Sequence, residues 1–179
     1  MKRVRLMPWL AAWRDMRRWR RWALEALILV ALVAAVSVWQ NRGLPEGPAP
    51  RLEGVRSDGS LVKVGAGPTA QLVVFWASWC PVCRAEEGNV EMIARHWPVV
   101  SVAMQSGDAA AVTKYLKARG LELPAVIDDD GALAAAWRVR GVPTHFVLDP
   151  QGHIRFRVVG YATTLGLAAR LWWAEHVAS

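Results

Sequence analysis

Two cysteines three positions apart, Cys80 and Cys83, are the only ones in a chain of 179 residues, and they stand within Phe75-Trp76-Ala77-Ser78-Trp79-Cys80-Pro81-Val82-Cys83-Arg84. Such a pair can exchange thiols and disulfides, bind a metal, or form a structural bridge. A bridge across two intervening residues closes a very small loop, so it constrains the unfolded chain little and adds little stability. Structural zinc takes four ligands, and no closely spaced pair exists among His96, His145, His153 and His176 to complete a set. Exchange fits the flanks better. Leu72 to Ala77 is an apolar, β-rich run that reads as a buried strand, and residues 82–97 then take up helical period. Cys80 therefore falls at a helix start, where unpaired N–H groups favour a thiolate, and it is the expected nucleophile. Cys83, one turn further in and expected to be less exposed, can resolve a mixed disulfide by attacking Cys80.

One carboxylate interrupts the apolar stripe Val82, Glu86, Val90, Ile93 and Trp97 along that helix, three residues after Cys83. A carboxyl held partly out of water binds its proton more tightly, so Glu86 could take or give the proton that Cys83 must exchange in each cycle. The plainer reading is a snorkelling surface residue near Arg84 or Glu87. Trp76 and Trp79 are expected to form an apolar rim beside the cysteines, with core packing equally open to Trp76. Met104 and His145 lie in strand-like segments and read as core residues.

The elements that must position these groups follow from pattern. Leu52 to Val64 reads as a hairpin about Asp58-Gly59. After the strand and helix around the cysteines come a strand at Val99 to Ala103 and a helix from Ser106 or Asp108 to Gly120. Pro124 to Ile127 reads as a short strand, followed by Asp128-Asp129-Asp130-Gly131 and one or two helical turns over Ala132 to Trp137. Thr144 to Leu148 and Ile154 to Val159 form a strand pair joined by Asp149-Pro150-Gln151-Gly152. A last helix covers about Thr164 to His176 with Leu167, Ala168, Leu171 and Ala174 inward. This order implies an α/β domain with a mixed central sheet flanked by helices.

The composition, 54% hydrophobic, is high for a purely soluble protein, and much of the excess lies between Ala23 and Val38. The net charge of +7 is equally local. Lys2, Arg3, Arg5, Arg14, Arg17, Arg18, Arg20 and Arg21 face only Asp15, while from Gln40 onward 14 basic residues face 13 acidic ones. A nearly neutral folded part argues against nucleic acid as a partner. A basic tail before an apolar run is instead what the positive-inside rule expects of a cytoplasmic flank. The chain accordingly divides into a basic cytoplasmic tail (1–22), a transmembrane anchor (23–39), a Pro- and Gly-rich linker (40–50) and a folded domain (51–179). The anchor would extend roughly 26 Å as one helix, with Trp22 and Trp39 at its interfaces and Glu25 within reach of headgroups. A cleaved signal peptide is the rival reading, since Ala35-Val36-Ser37 resembles a weak cleavage site; the long basic segment with four tryptophans weighs against it. Either way the domain is exported.

From Arg51 to Trp173 the chain resembles the thioredoxin superfamily, in particular its membrane-tethered TlpA/ResA-like branch. The resemblance rests on residues 75–84, on Gly141-Val142-Pro143-Thr144, and on Asp149-Pro150-Gln151-Gly152 leading into a strand. Val102-Ala103-Met104-Gln105-Ser106-Gly107-Asp108 and Val159-Gly160-Tyr161-Ala162-Thr163 look most like the disulfide oxidoreductases associated with bacterial suppression of copper sensitivity, hence with copper tolerance. The resemblance implies a thioredoxin-like fold and a protein dithiol–disulfide oxidoreductase with Cys80 and Cys83 as its redox-active centre. It further implies a cis Pro143 facing the cysteines and a Val142 backbone that pairs with an extended substrate, with Trp79, Pro81 and Val82 beside it. A glutamate at the place of Glu86 belongs to the branch, whereas the buried acid that thioredoxins carry on the preceding strand is matched here by Val74. No cofactor or metal is implied. The implied partners are thiols or disulfides of exported proteins and a membrane thiol reductase as electron donor, at the periplasmic face of the inner membrane in a Gram-negative cell.

Pro81 and Val82 bring neither charge nor imidazole between the cysteines, so a reductase is expected over a strong oxidant. The alternatives are a copper-binding or copper-delivery domain using Cys80, Cys83 and His145, and a tethered adaptor with an inert disulfide. The charge pattern makes its own prediction: an alkaline phosphatase fused after Ser179 is active in growing cells, and an inactive fusion at normal expression overturns the export reading.

Overall fold

A computed structural model describes residues 9–177; Lys2, Arg3 and Arg5 of the basic tail lie outside the described residues. The chain divides after Gln40 into two compact units. The first is built on helix α1 (Trp9–Asn41), which takes in both the tail from Trp9 onward and the apolar run. Leu24, Leu27, Ile28, Leu29, Val30, Leu32 and Val33 are all exposed, so the run is apolar all round, not along one stripe. The sequence places a transmembrane helix at 23–39, yet among the described residues no helix is long and apolar enough to cross a membrane.

The second unit begins inside the expected linker. Gly47 and Pro48 form a short strand, β1 (Gly47–Pro48), paired antiparallel with His153 and Ile154, and Leu44 is buried in the core. Next comes the expected hairpin, β2 (Glu53–Val55) and β3 (Leu61–Lys63), as a separate two-stranded sheet. It lies so close to the main sheet that a Cβ on Gly54 would meet Val126 Cγ1 at 2.8 Å, which is why glycine stands there.

The main sheet adds β4 (Gln71–Trp76), β5 (Val99–Met104), β6 (Ala125–Asp128), β7 (Thr144–Leu148) and β8 (His153–Val159) in the order β1-β8-β7-β4-β5-β6. β4, β5 and β6 run parallel, while β7 and β8 run antiparallel to their neighbours, giving the mixed sheet expected. The β7–β8 turn carries Gly152 at φ 81°, and a Cβ there would meet Ala66 N and Gly65 C at 3.0 Å. Helices α2 (Pro81–Ala94), α3 (Ala109–Arg119), α4 (Ala132–Ala136) and α5 (Thr164–His176) complete the unit. Of the two starts open to α3, the structure uses Asp108, whose carboxylate accepts from Ala111 N–H at 2.8 Å. α2 stops at Ala94 and does not reach Trp97, because Pro98 disfavours helical backbone before it.

Alternation along β4 divides the core. Leu72 and Val74 meet Val90 and Ile93 of α2 and Leu167 and Leu171 of α5, while Val73 and Phe75 meet Phe146, Leu148 and Trp137 on the other face. Trp137 is fully buried, with its ring 4.9 Å from Phe146 and 5.7 Å from Phe75. Trp137→Ala is therefore expected to cost about 3–5 kcal/mol, read by chemical denaturation; a loss under about 1 kcal/mol, the scale of an exposed side chain, would remove Trp137 from the core.

Candidate active site

Where β4 ends, Cys80 takes the position before α2 in extended conformation (φ −86°, ψ 115°) and Pro81 fills the first helical turn, where no N–H is needed. The first N–H groups of a helix lack partners, and oxygen side chains usually supply one. Here a sulfur does: Cys80 Sγ accepts from Cys83 N–H at 3.2 Å. The Cys80 thiol in turn donates to the Val142 carbonyl at 3.5 Å, and the Val142–Pro143 peptide is cis. Pro143 is buried and Val142 half-buried, while Trp79, Pro81 and Val82 are exposed around the sulfur. Trp79 is pinned by Nε1 donating to the Gln105 carbonyl at 3.0 Å. Trp76 stands apart from this rim: it is buried, stacks on Tyr115 and donates to Ser101 Oγ at 2.6 Å.

The expected contrast in exposure between the cysteines is absent, since each is 3% exposed. Their surroundings separate them. Burial pushes the Cys83 thiol well above its ordinary range, and its hydrogen bond with Cys80 and the charges of Cys80 and Glu86 push the same way, with the Ala77 backbone working against them. Beside it, Trp76, Glu86, Ser101 and Leu116 help line a cavity of about 40 Å³, room for about one water.

Glu86 is not a snorkelling surface residue, because it is 2% exposed. Its Oε2 accepts from Ala162 N–H at 2.9 Å, and its Oε1 lies 2.9 Å from Nε2 of the fully buried His145. The other ring nitrogen, Nδ1, faces the Val158 carbonyl at 3.2 Å. Asn89 clamps the loop that carries Ala162, donating to its carbonyl at 2.9 Å and accepting from Thr164 Oγ1 at 3.0 Å. Neighbouring Glu87 turns away to Tyr115 and Arg119. His145 does not join the two sulfurs, and among the described residues no group of three His, Cys, Asp or Glu side chains is arranged to hold a metal ion.

Sequence reasoning missed the partner of Glu86. Alternation along β7 places His145 on the face of Val147, and register places it opposite Val74, so a buried imidazole faces the helix that carries the buried Glu86. A polar residue inside an otherwise apolar strand was the available signal. Asn89 left no comparable mark.

The Redoxin family model matches residues 44–168. A thioredoxin-like protein of Haemophilus influenzae is 34% identical over 105 residues, covering 58% of this chain and 62% of its own length. A thiol:disulfide interchange protein DsbE homolog of Paracoccus denitrificans is 36% identical over 94 residues, 52% of each chain. The chain thus spans between half and two thirds of the length of these relatives. Among solved structures, a putative thiol:disulfide interchange protein DsbE from Chlorobium tepidum superposes with a TM-score of 0.63 at 25% identity, covering 74% of this chain and 99% of that one. StoA from Bacillus subtilis gives 0.61 at 24% identity over 70% of this chain and 98% of its own, a likeness of fold. With a family model matching most of the chain, and a thioredoxin-like domain behind it, this protein belongs to the Redoxin family.

Proposed function

We propose that the chain is a protein dithiol–disulfide oxidoreductase that acts on exported proteins, as a reductase, through Cys80 and Cys83. The observation that carries this reading is the sulfur of Cys80 at the start of α2, set between the Cys83 N–H and the Val142 carbonyl. A thiol at that place meets substrate on one side and its resolving partner on the other.

The Cys80 thiolate attacks one sulfur of a substrate disulfide, forming a mixed disulfide and releasing the first substrate thiolate. Cys83 then gives up its proton, with Glu86 as the acceptor, and attacks Cys80 Sγ. The bond from Cys80 to substrate breaks, the Cys80–Cys83 bond forms, and the second substrate sulfur leaves with the electron pair. Two electrons pass from the chain to the substrate. Val142 and Pro143, with Trp79, Pro81 and Val82, hold the extended substrate segment, the backbone beside the cis peptide offering it hydrogen bonds. The names of the relatives, thiol:disulfide interchange proteins among them, support this reaction class.

The apolar run of α1, exposed on all sides with Trp22 and Trp39 at its ends, suits a single-pass anchor in the inner membrane, shortened by snorkelling and interfacial tryptophans. The domain would then face the periplasm near a membrane thiol reductase that returns electrons to it. Within the branch, we place the chain in the copper-tolerance group, on the likeness of the loops after β5 and β8.

Cys83→Ser keeps the nucleophile and removes the resolving thiol, so it is expected to accumulate mixed disulfides with exported proteins through Cys80. A variant that traps nothing in cells where it is expressed, while Cys80 fails to alkylate roughly tenfold faster than Cys83 in the parent, would sink the reading.

Direction has a separate test. Strong oxidants owe a potential near about −120 mV to a very stable thiolate, and the Pro81-Val82 pair offers no charge toward one, so a potential closer to about −270 mV is expected. A thiol-specific mass tag applied to acid-quenched cells is expected to find Cys80 and Cys83 mostly reduced. A pair mostly disulfide in growing cells, with a potential above roughly −150 mV, makes the protein a donor of disulfides instead.

A further inference from the structure

The contact between His145 and Glu86 is short, though bent away from an ideal hydrogen-bond line, and the Val158 carbonyl on the far side of the ring fixes where the protons can be. A carbonyl only accepts, so Nδ1 must carry hydrogen. If Nε2 were then bare and Glu86 ionised, a carboxylate charge would lie 2.9 Å from an electron-rich ring nitrogen. One proton, on Nε2 or on Oε1, removes that repulsion. In either arrangement the pair is neutral as a unit, which is how two ionisable groups can sit 0% and 2% exposed beneath the cysteines.

We propose that His145 and Glu86 share one proton and act together as the acceptor for the Cys83 proton, with His145 as the positioning residue that keeps Glu86 able to receive it. The inference rests on the exchange reading of Cys80 and Cys83. A lone buried carboxyl would keep its own proton and have nothing to offer Cys83. With His145 holding the shared proton as an imidazolium, Glu86 is a carboxylate whose charge is balanced, with Oε2 fixed by Ala162 N–H. In the resolving step the S–H bond of Cys83 breaks and its proton passes to Glu86, directly or through a water in the adjoining cavity. The pair then carries one positive charge beside the new Cys83 thiolate, which attacks Cys80 Sγ. Around the pair, α2 presents Cys83 and, on the pocket that Glu86 lines, Glu87 and Glu91; β5 presents Ser101 there, β4 the apolar Val74, β8 and its following loop the Val158 carbonyl and Ala162 N–H, and α5 the apolar Leu167 and Leu171. The imidazole thus stands one strand over from the place where Val74 leaves no acid.

The test uses the reduced full-length chain in micelles and an aryl disulfide whose released nitrothiolate absorbs visible light. One equivalent gives a first release as Cys80 attacks and a second as Cys83 resolves. His145→Gln is expected to leave the first release unchanged and to slow the second roughly tenfold near neutral pH. The deficit should close as pH rises and solvent deprotonates Cys83. Glu86→Gln should slow the second release as much, and the double variant no further, because paired groups acting as a unit are not additive. An unchanged second release, or slowing by the same factor at every pH, overturns the proposal, as does full additivity. Should the variants fail to fold, nitrogen-15 spectra of the parent decide it: hydrogen on Nδ1 of His145 throughout is expected, and a tautomer bearing hydrogen on Nε2 alone overturns it. A parent chain that shows neither release fails the exchange reading itself and takes this inference with it.

Discussion

The hydrogen bond from Cys83 N–H to Cys80 Sγ ties both thiols to the first turn of α2, so whatever fixes that helix fixes the chemistry. Val90 and Ile93 do so by packing against Leu72, Val74 and Val147 of the sheet and Leu167 and Leu171 of α5. Each such side chain contributes about 1.5–3 kcal/mol when fully buried. A slip of one residue would turn the helix by about 100° and carry Cys83 away from Cys80. The cap is therefore held by apolar contacts some distance from it. A sulfur at this position is a weaker hydrogen-bond acceptor than the oxygen of serine or aspartate, so the chain gives up part of a normal cap in exchange for a reactive group.

The same helix face brings a carboxylate into the core, and an isolated one would be very costly there. His145 from β7 and Ala162 N–H from the loop after β8 meet its two oxygens, while Asn89, one turn after Glu86 on α2, holds that loop. Three elements must be in register for these contacts to form. Breaking such a pair by removing one partner commonly costs several kcal/mol, whereas replacing both by apolar groups can be neutral. The pair is thus poor evidence of design for stability. Its position beside a thiol that burial holds protonated is better explained by chemistry.

The periodic parts of this architecture were legible in the residues themselves. β4, α2, β7, β8 and α5 were readable because apolar spacing is set by which face is buried, and Asp149-Pro150-Gln151-Gly152 because its turn demands those types. Cys80, Cys83 and Glu86 stood out as chemical groups at an element junction or on an apolar stripe. What was hidden depends on contacts between distant segments. The pairing of Gly47 and Pro48 with β8 is invisible in a stretch that reads as linker, and the meeting of Glu86 with His145 requires knowing that β7 lies beside β4 on the face of α2. Equal exposure of the two cysteines escaped for the same reason: the loop of Val142 and Pro143 covers Cys80 from far along the chain.

That cover separates two traffic routes in the proposed reaction. Cys80 is reached only through the rim of Trp79, Pro81, Val82 and Val142, where a substrate backbone can lie, so electrons cross at the surface. Cys83 lies away from that rim, on a pocket it shares with Glu86, and burial pushes its thiol up. In the proposed reaction its proton leaves toward that pocket, where Glu86 stands. Were Cys83 open at the rim, substrate could attack either sulfur and the order of steps would be lost. Keeping Cys83 off the rim imposes that order and gives a base beside it its use. A buried base must in turn have its charge balanced, which is the part proposed for His145 on the neighbouring strand.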